Sequence, residues 1–88
     1  MMIELIRIEP AGARALELTF SDGSHGRWYA DSTIAHDTVL TRPLEDPAYF
    51  SRAFIEAGAL AWPNGLEFAA HSLHADMEEA GVLVRRAA

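Results

Sequence analysis

The chain has 88 residues, half of them apolar, with 13 acidic against 7 basic side chains and a formal net charge of −6. That is enough for one domain around one core, and the charge opposes gripping of phosphate backbones, so direct nucleic-acid binding is not expected. Every basic residue is an arginine and there is no cysteine, which excludes Schiff-base and P-loop lysines, disulfides, thiolate catalysis and cysteine metal sites.

Met1 to Glu4 shows no basic region followed by an apolar stretch, so no secretory signal is expected. No apolar run approaches the roughly 20 residues that span a bilayer. The expectation is a cytoplasmic protein without membrane association, and arginine to the exclusion of lysine points to a GC-rich bacterial coding sequence.

Met2 to Glu9 is rich in Ile and Leu and is punctuated by Pro10-Ala11-Gly12. Leu16, Leu18 and Phe20 then alternate with Ala15, Glu17 and Thr19, the period-2 pattern of a strand with one buried face. Ser21-Asp22-Gly23 is a hairpin turn signal, because Asp-Gly supplies the positive φ angles a tight turn needs. Ser24 to Tyr29 runs back as a third strand, giving an antiparallel meander over roughly Met2 to Ala30.

Asp31 to Arg42 gives mixed signals: Asp31-Ser32-Thr33 suits one capped turn around Ile34, whereas Val39-Leu40-Thr41 reads as extended. Asp46-Pro47 is an N-cap followed by proline at the first helical position. Tyr49, Phe50, Ala53 and Phe54 lie at helical spacing behind it, with Arg52 facing water. Ala53 to Glu56 fits either that helix or a hairpin with residues 59–62. Ala59 to Trp62 reads as a buried strand stopped by Pro63-Asn64-Gly65. A last helix begins between Glu67 and Ala70, with Leu66, Ala70, Leu73, Met77 and Ala80 as its apolar stripe and Gly81 as its C′ residue. Val82-Leu83-Val84 follows as an apolar tail ending in Arg85-Arg86. The expected fold is α+β: a small antiparallel sheet of four to five short strands packed with two helices, in a single domain over residues 1–88.

Phe20-Ser21-Asp22-Gly23, then Leu44-Glu45-Asp46-Pro47-Ala48-Tyr49-Phe50, then Trp62-Pro63-Asn64-Gly65 occur in an order that resembles a small bacterial family, domain of unknown function 2442. The resemblance covers about residues 3–74; residues 75–88 are helix end and apolar tail. It implies a compact α+β domain with no agreed activity. Some relatives are encoded beside another small protein in pairs suspected of being toxin–antitoxin modules. The chain departs from the family in carrying Glu67 where Asp is usual and Ala70-His71 where Pro-Asp often opens the last helix.

Four constellations bear on function. Trp62 is either a stacking platform with Asn64 as a hydrogen-bonding group beside it, or a core anchor with Asn64-Gly65 forming the turn. His71, His74 and Glu78, with Glu67 if the helix starts that early, share one helical stripe suited to zinc or iron. That stripe is equally a solvated shoulder, about 120° from the apolar face. Ser24, His25, Arg27, His36 and Asp37 sit in no catalytic motif, so no enzyme activity and no cofactor are expected. Val82, Leu83 and Val84 either complete the domain's own sheet or pair with an edge strand of another chain. The functional expectation is a non-enzymatic protein-binding module. It works through Val82, Leu83, Val84, Trp62 and Asn64, with a protein partner or a second copy in a homodimer, and one member of a toxin–antitoxin-like pair is its most concrete form. The alternative is a small metal- or ligand-binding domain using His71, His74 and Glu78.

Overall fold

In chain order the elements are β1 (Leu5–Gly12), β2 (Ala15–Phe20), β3 (His25–Tyr29), α1 (Asp31–Ala35), a 3-10 turn (Arg42–Glu45), α2 (Pro47–Phe50), β4 (Phe54–Glu56), β5 (Ala59–Ala61), β6 (Glu67–Phe68), α3 (Ala70–Glu79) and β7 (Leu83–Val84). The computed structural model describes residues 2–85; Met1 and Arg86, which figure in the reading of the two ends, lie outside the described residues.

The class is α+β, with the strands divided between two antiparallel sheets. The first has the order β1-β2-β3-β7 and the second β4-β5-β6. In the first, Leu16, Leu18 and Phe20 face the core together with Trp28, as the alternation predicts. On the opposite face His25 and Arg27 are exposed, and Glu17 stands 3.8 Å from His25 and 3.7 Å from Arg27. The Asp22-Gly23 turn closes the β2–β3 hairpin through the Phe20 N–H, which donates to the Ser24 carbonyl at 2.9 Å.

The second sheet settles the ambiguity at Ala53 to Glu56 in favour of the hairpin. Asp46 caps α2 by accepting from the Ala48 N–H at 3.0 Å, but the helix ends at Phe50. The chain then extends so that Phe54, Ile55 and Glu56 pair with Ala61, Leu60 and Ala59. Ala57 and Gly58 make the reversal with φ of 50° and 81°, the paired positive values of a tight hairpin turn. Phe54, at helical spacing with Phe50, lies instead at the sheet margin, 39 % exposed, while Phe68, half-buried, packs against the core.

The sheets meet through an aromatic cluster. The Trp62 ring lies 6.2 Å from Trp28, 5.7 Å from Phe50 and 6.1 Å edge-on from Phe68. Burial of each such ring stabilises the fold by about 2–3 kcal/mol before entropy is counted. The Leu5 N–H donates to the Gly58 carbonyl at 2.8 Å, tying β1 to the β4–β5 turn. α3 starts at Ala70, the late end of the expected window, so Leu66 and Glu67 precede it. Its buried residues are Ala70, Leu73 and Met77, and Gly81 follows its end with φ of 74°.

Candidate interaction surface

Val39-Leu40, which reads as extended in the sequence, occupies the apex of a turn. Threonines at both ends supply the reason. The Thr38 N–H donates to Thr41 Oγ1 at 2.9 Å and the Thr41 N–H donates to Thr38 Oγ1 at 3.1 Å. Side-chain hydroxyls that satisfy nearby backbone groups compete with strand formation in this way. Arg42 Nε reaches back 2.7 Å to Asp37, which adopts φ of 51° to admit the bend. The apex side chains are left in water: Val39 is 79 % exposed and Leu40 42 %.

Asn64 fixes this turn against the body of the protein. Its Nδ2 donates to the Leu40 carbonyl at 3.1 Å, its Oδ1 accepts from the Leu66 N–H at 3.1 Å, and its own N–H donates to the Tyr49 hydroxyl at 3.0 Å. Segments around Thr38–Thr41, Tyr49 and Trp62–Gly65 therefore meet at one residue. The Arg52 guanidinium lies 5.9 Å over the Tyr49 ring, extending the surface with a cation. Trp62 does not share in it. It is 1 % exposed, and its indole Nε1 donates to the Phe50 carbonyl at 3.0 Å, so no partner can stack on it. Of the two residues expected to act together, Asn64 is at the surface and Trp62 supports it from below.

The apolar tail folds onto its own domain. Val84 pairs with His25 and Leu83 with Gly26, so β7 extends the first sheet by one short strand. The Val82 N–H donates to the Met77 carbonyl at 3.0 Å, and the Val82 carbonyl oxygen lies 2.2 Å from where a Cβ on Gly26 would stand. Only a glycine at that position lets the strand seat. Val82 and Leu83 are half-buried, and Val84 keeps its side chain on the solvent side.

The histidine stripe is not gathered into a site. His71 is exposed, and Glu67 lies outside the helix in β6. Glu78 pairs with Arg85. His74 Nε2 lies 3.0 Å from Asp22 Oδ2, its ring edge-on to Phe20 at 5.2 Å. Among the described residues no group of three or more His, Asp or Glu side chains is placed to hold a metal.

The sequence carried no sign of the His74–Asp22 pair, whose members are 52 positions apart. Asp22 also accepts from the Ser24 hydroxyl and, at 2.9 Å, from the Ser24 N–H. The hydroxyl bond first, then the backbone bond and His74, hold its carboxyl at about 2, with desolvation working against them. Ser24 is buried, and the carboxylate stands between it and the imidazole. The trio braces the β2–β3 turn against α3.

The chain matches no protein-family model, no curated protein and no solved structure. Among the described residues no helix is long and apolar enough to cross a membrane.

Proposed function

We propose that the chain is a cytoplasmic, non-enzymatic protein-binding module related to the domain of unknown function 2442 family, and that it docks a protein partner on the surface built from Val39, Leu40, Tyr49 and Asn64. The supporting observation is the combination of exposure and restraint at Val39-Leu40. Two apolar side chains sit in water while Thr38 and Thr41 bond each other's N–H groups on either side of them and Asn64 holds the Leu40 carbonyl. A surface ordered before binding loses little conformational entropy on association, and buried aliphatic anchors supply the affinity. The net charge of −6 favours a basic partner and faster encounter at low salt. An acidic protein neutralising a small basic one, as in a toxin–antitoxin pair, is the most concrete form. Self-association through the same surface is the homodimeric form.

Co-expression with the product of a neighbouring gene tests the reading. A stable complex is expected, and Val39→Asp with Leu40→Asp is expected to abolish it. Because both side chains are exposed, the thermal midpoint of the isolated protein should move by no more than about 0.5 kcal/mol equivalent. A chain that runs alone and monomeric, or a complex indifferent to these substitutions, overturns the proposal.

A further inference from the structure

We propose that Asn64–Gly65 is a site of spontaneous covalent modification, deamidation through a succinimide, that the folded protein holds back and that releases the Thr38–Arg42 turn when it occurs. The proposal does not depend on what the surface binds.

The chemistry requires a side-chain amide followed by a residue whose backbone nitrogen can reach it unhindered. Asn64 is exposed and is followed by Gly65, which has φ of 94° and nothing within 4 Å of its missing Cβ position. Hydroxide removes the Gly65 amide proton, and that nitrogen attacks Asn64 Cγ. The new N–Cγ bond forms as the Cγ–Nδ2 bond breaks, and the amide leaves as ammonia after taking a proton from water. Water then adds to either carbonyl of the five-membered imide and reopens it to aspartate or isoaspartate. The net change is asparagine plus water to acid plus ammonia, with no oxidation or reduction.

The fold opposes each part of the first step. The Gly65 N–H is engaged with the Trp62 carbonyl at 3.1 Å. The departing Nδ2 is held by the Leu40 carbonyl, and Oδ1 is held by the Leu66 N–H. Nitrogen and Cγ come together only when the turn opens, so the rate in the native protein is the open-chain rate scaled by the population of the open form.

The product cannot restore the arrangement. A carboxylate has no hydrogen to donate to the Leu40 carbonyl, and isoaspartate lengthens the main chain within the Trp62–Leu66 turn. The link between Trp62–Gly65 and the Thr38–Arg42 turn is therefore lost permanently, and the surface gains a negative charge.

The sequence makes the test clean, because Asn64 is its only asparagine and it contains no glutamine, so ammonia released from the chain reports this site alone. Ammonia release and the mass of the Asn64 peptide would be followed for the native chain and for the same chain in denaturant, at one mildly alkaline pH. Native release is expected to be slower by about tenfold or more, with Thr38→Ala falling between the two. Hydrogen exchange on the purified product, and on Asn64→Asp, is expected to show faster exchange at Thr38, Thr41 and Arg42. Equal rates in native and denatured chain, absence of ammonia from both, or unchanged exchange in the deamidated product would each overturn the proposal.

Discussion

Two segments of this protein put apolar β-formers near water, the Val39-Leu40 apex and the Val82–Val84 tail, and they differ in where their backbone bonds go. The tail commits its main chain to β3 and to α3, and two of its three side chains turn toward the core. At the apex the flanking Thr38 and Thr41 N–H groups go to hydroxyls and the Leu40 carbonyl goes to the Asn64 amide, leaving both apolar side chains outward. Apolar exposure therefore carries functional weight only once the backbone is accounted for. The tail is sheet, and the apex is surface.

The strongest way to break this contrast is to unseat the tail. Gly26→Ala places a Cβ against the Val82 carbonyl oxygen, a backbone atom that cannot rotate away. We expect a loss of about 3 kcal/mol in urea unfolding, the upper range for forcing extra atoms into a packed site. Amides of Val82 to Val84 should lose protection while those of Thr38 to Arg42 keep theirs. The converse substitution, Asn64→Ala, removes the side-chain bonds to the apex and to Leu66. It is expected to cost about 2 kcal/mol and to speed exchange at the apex without touching the tail. If either variant loosens both segments equally, the two are one cooperative unit and the contrast fails.

A smaller effect is expected from acid. The Asp22 carboxyl titrates at about 2 when folded and near 3.8 otherwise. A lowered folded value means its contribution is complete above the unfolded value and disappears as pH falls toward the folded one. Solvent reaches part of the group, so the contribution is about 1 kcal/mol after screening. Stability should therefore fall between roughly pH 4 and pH 2. In Asp22→Asn this part of the decline should be missing, and His74→Ala should retain most of it, since Ser24 is the larger cause. The smallest change serves as a control. Ala57→Gly relieves a φ of 50° and should stabilise by about 0.5 kcal/mol, leaving exchange in both segments unaltered.

Local chemistry was legible in the sequence where it was also decisive. The β1–β3 meander follows from alternation and Asp-Gly, the start of α2 from Asp46-Pro47, and the end of α3 from Gly81. Ala53 to Glu56 was ambiguous because Phe50 and Phe54 satisfy helical spacing, and the choice turns on Ala57-Gly58 and on pairing with Ala59 to Ala61. The apex reads as extended because Val favours strands and the flanking threonines, whose hydroxyls close the turn, are themselves β-formers. Within the candidate surface, Asn64 is singled out by the sequence as a hydrogen-bonding group in the turn after Trp62. Its partners Leu40 and Tyr49 lie 24 and 15 positions away and leave no local trace.

The aromatic cluster has a consequence for how this protein reports its own folding. Trp28 belongs to one sheet and Trp62 follows the second strand of the other, each within a hairpin whose pairings are local in sequence. Local hairpins close quickly, and joining them requires the slower encounter of distant segments. The indoles come within 6.2 Å only after that encounter, whereas the Trp62 bond to the Phe50 carbonyl spans 12 positions and is made within the second half of the chain. Coupling between the two indoles should therefore time the docking of the sheets, while the burial of Trp62 against Phe50 and Phe68 reports the second half of the chain alone.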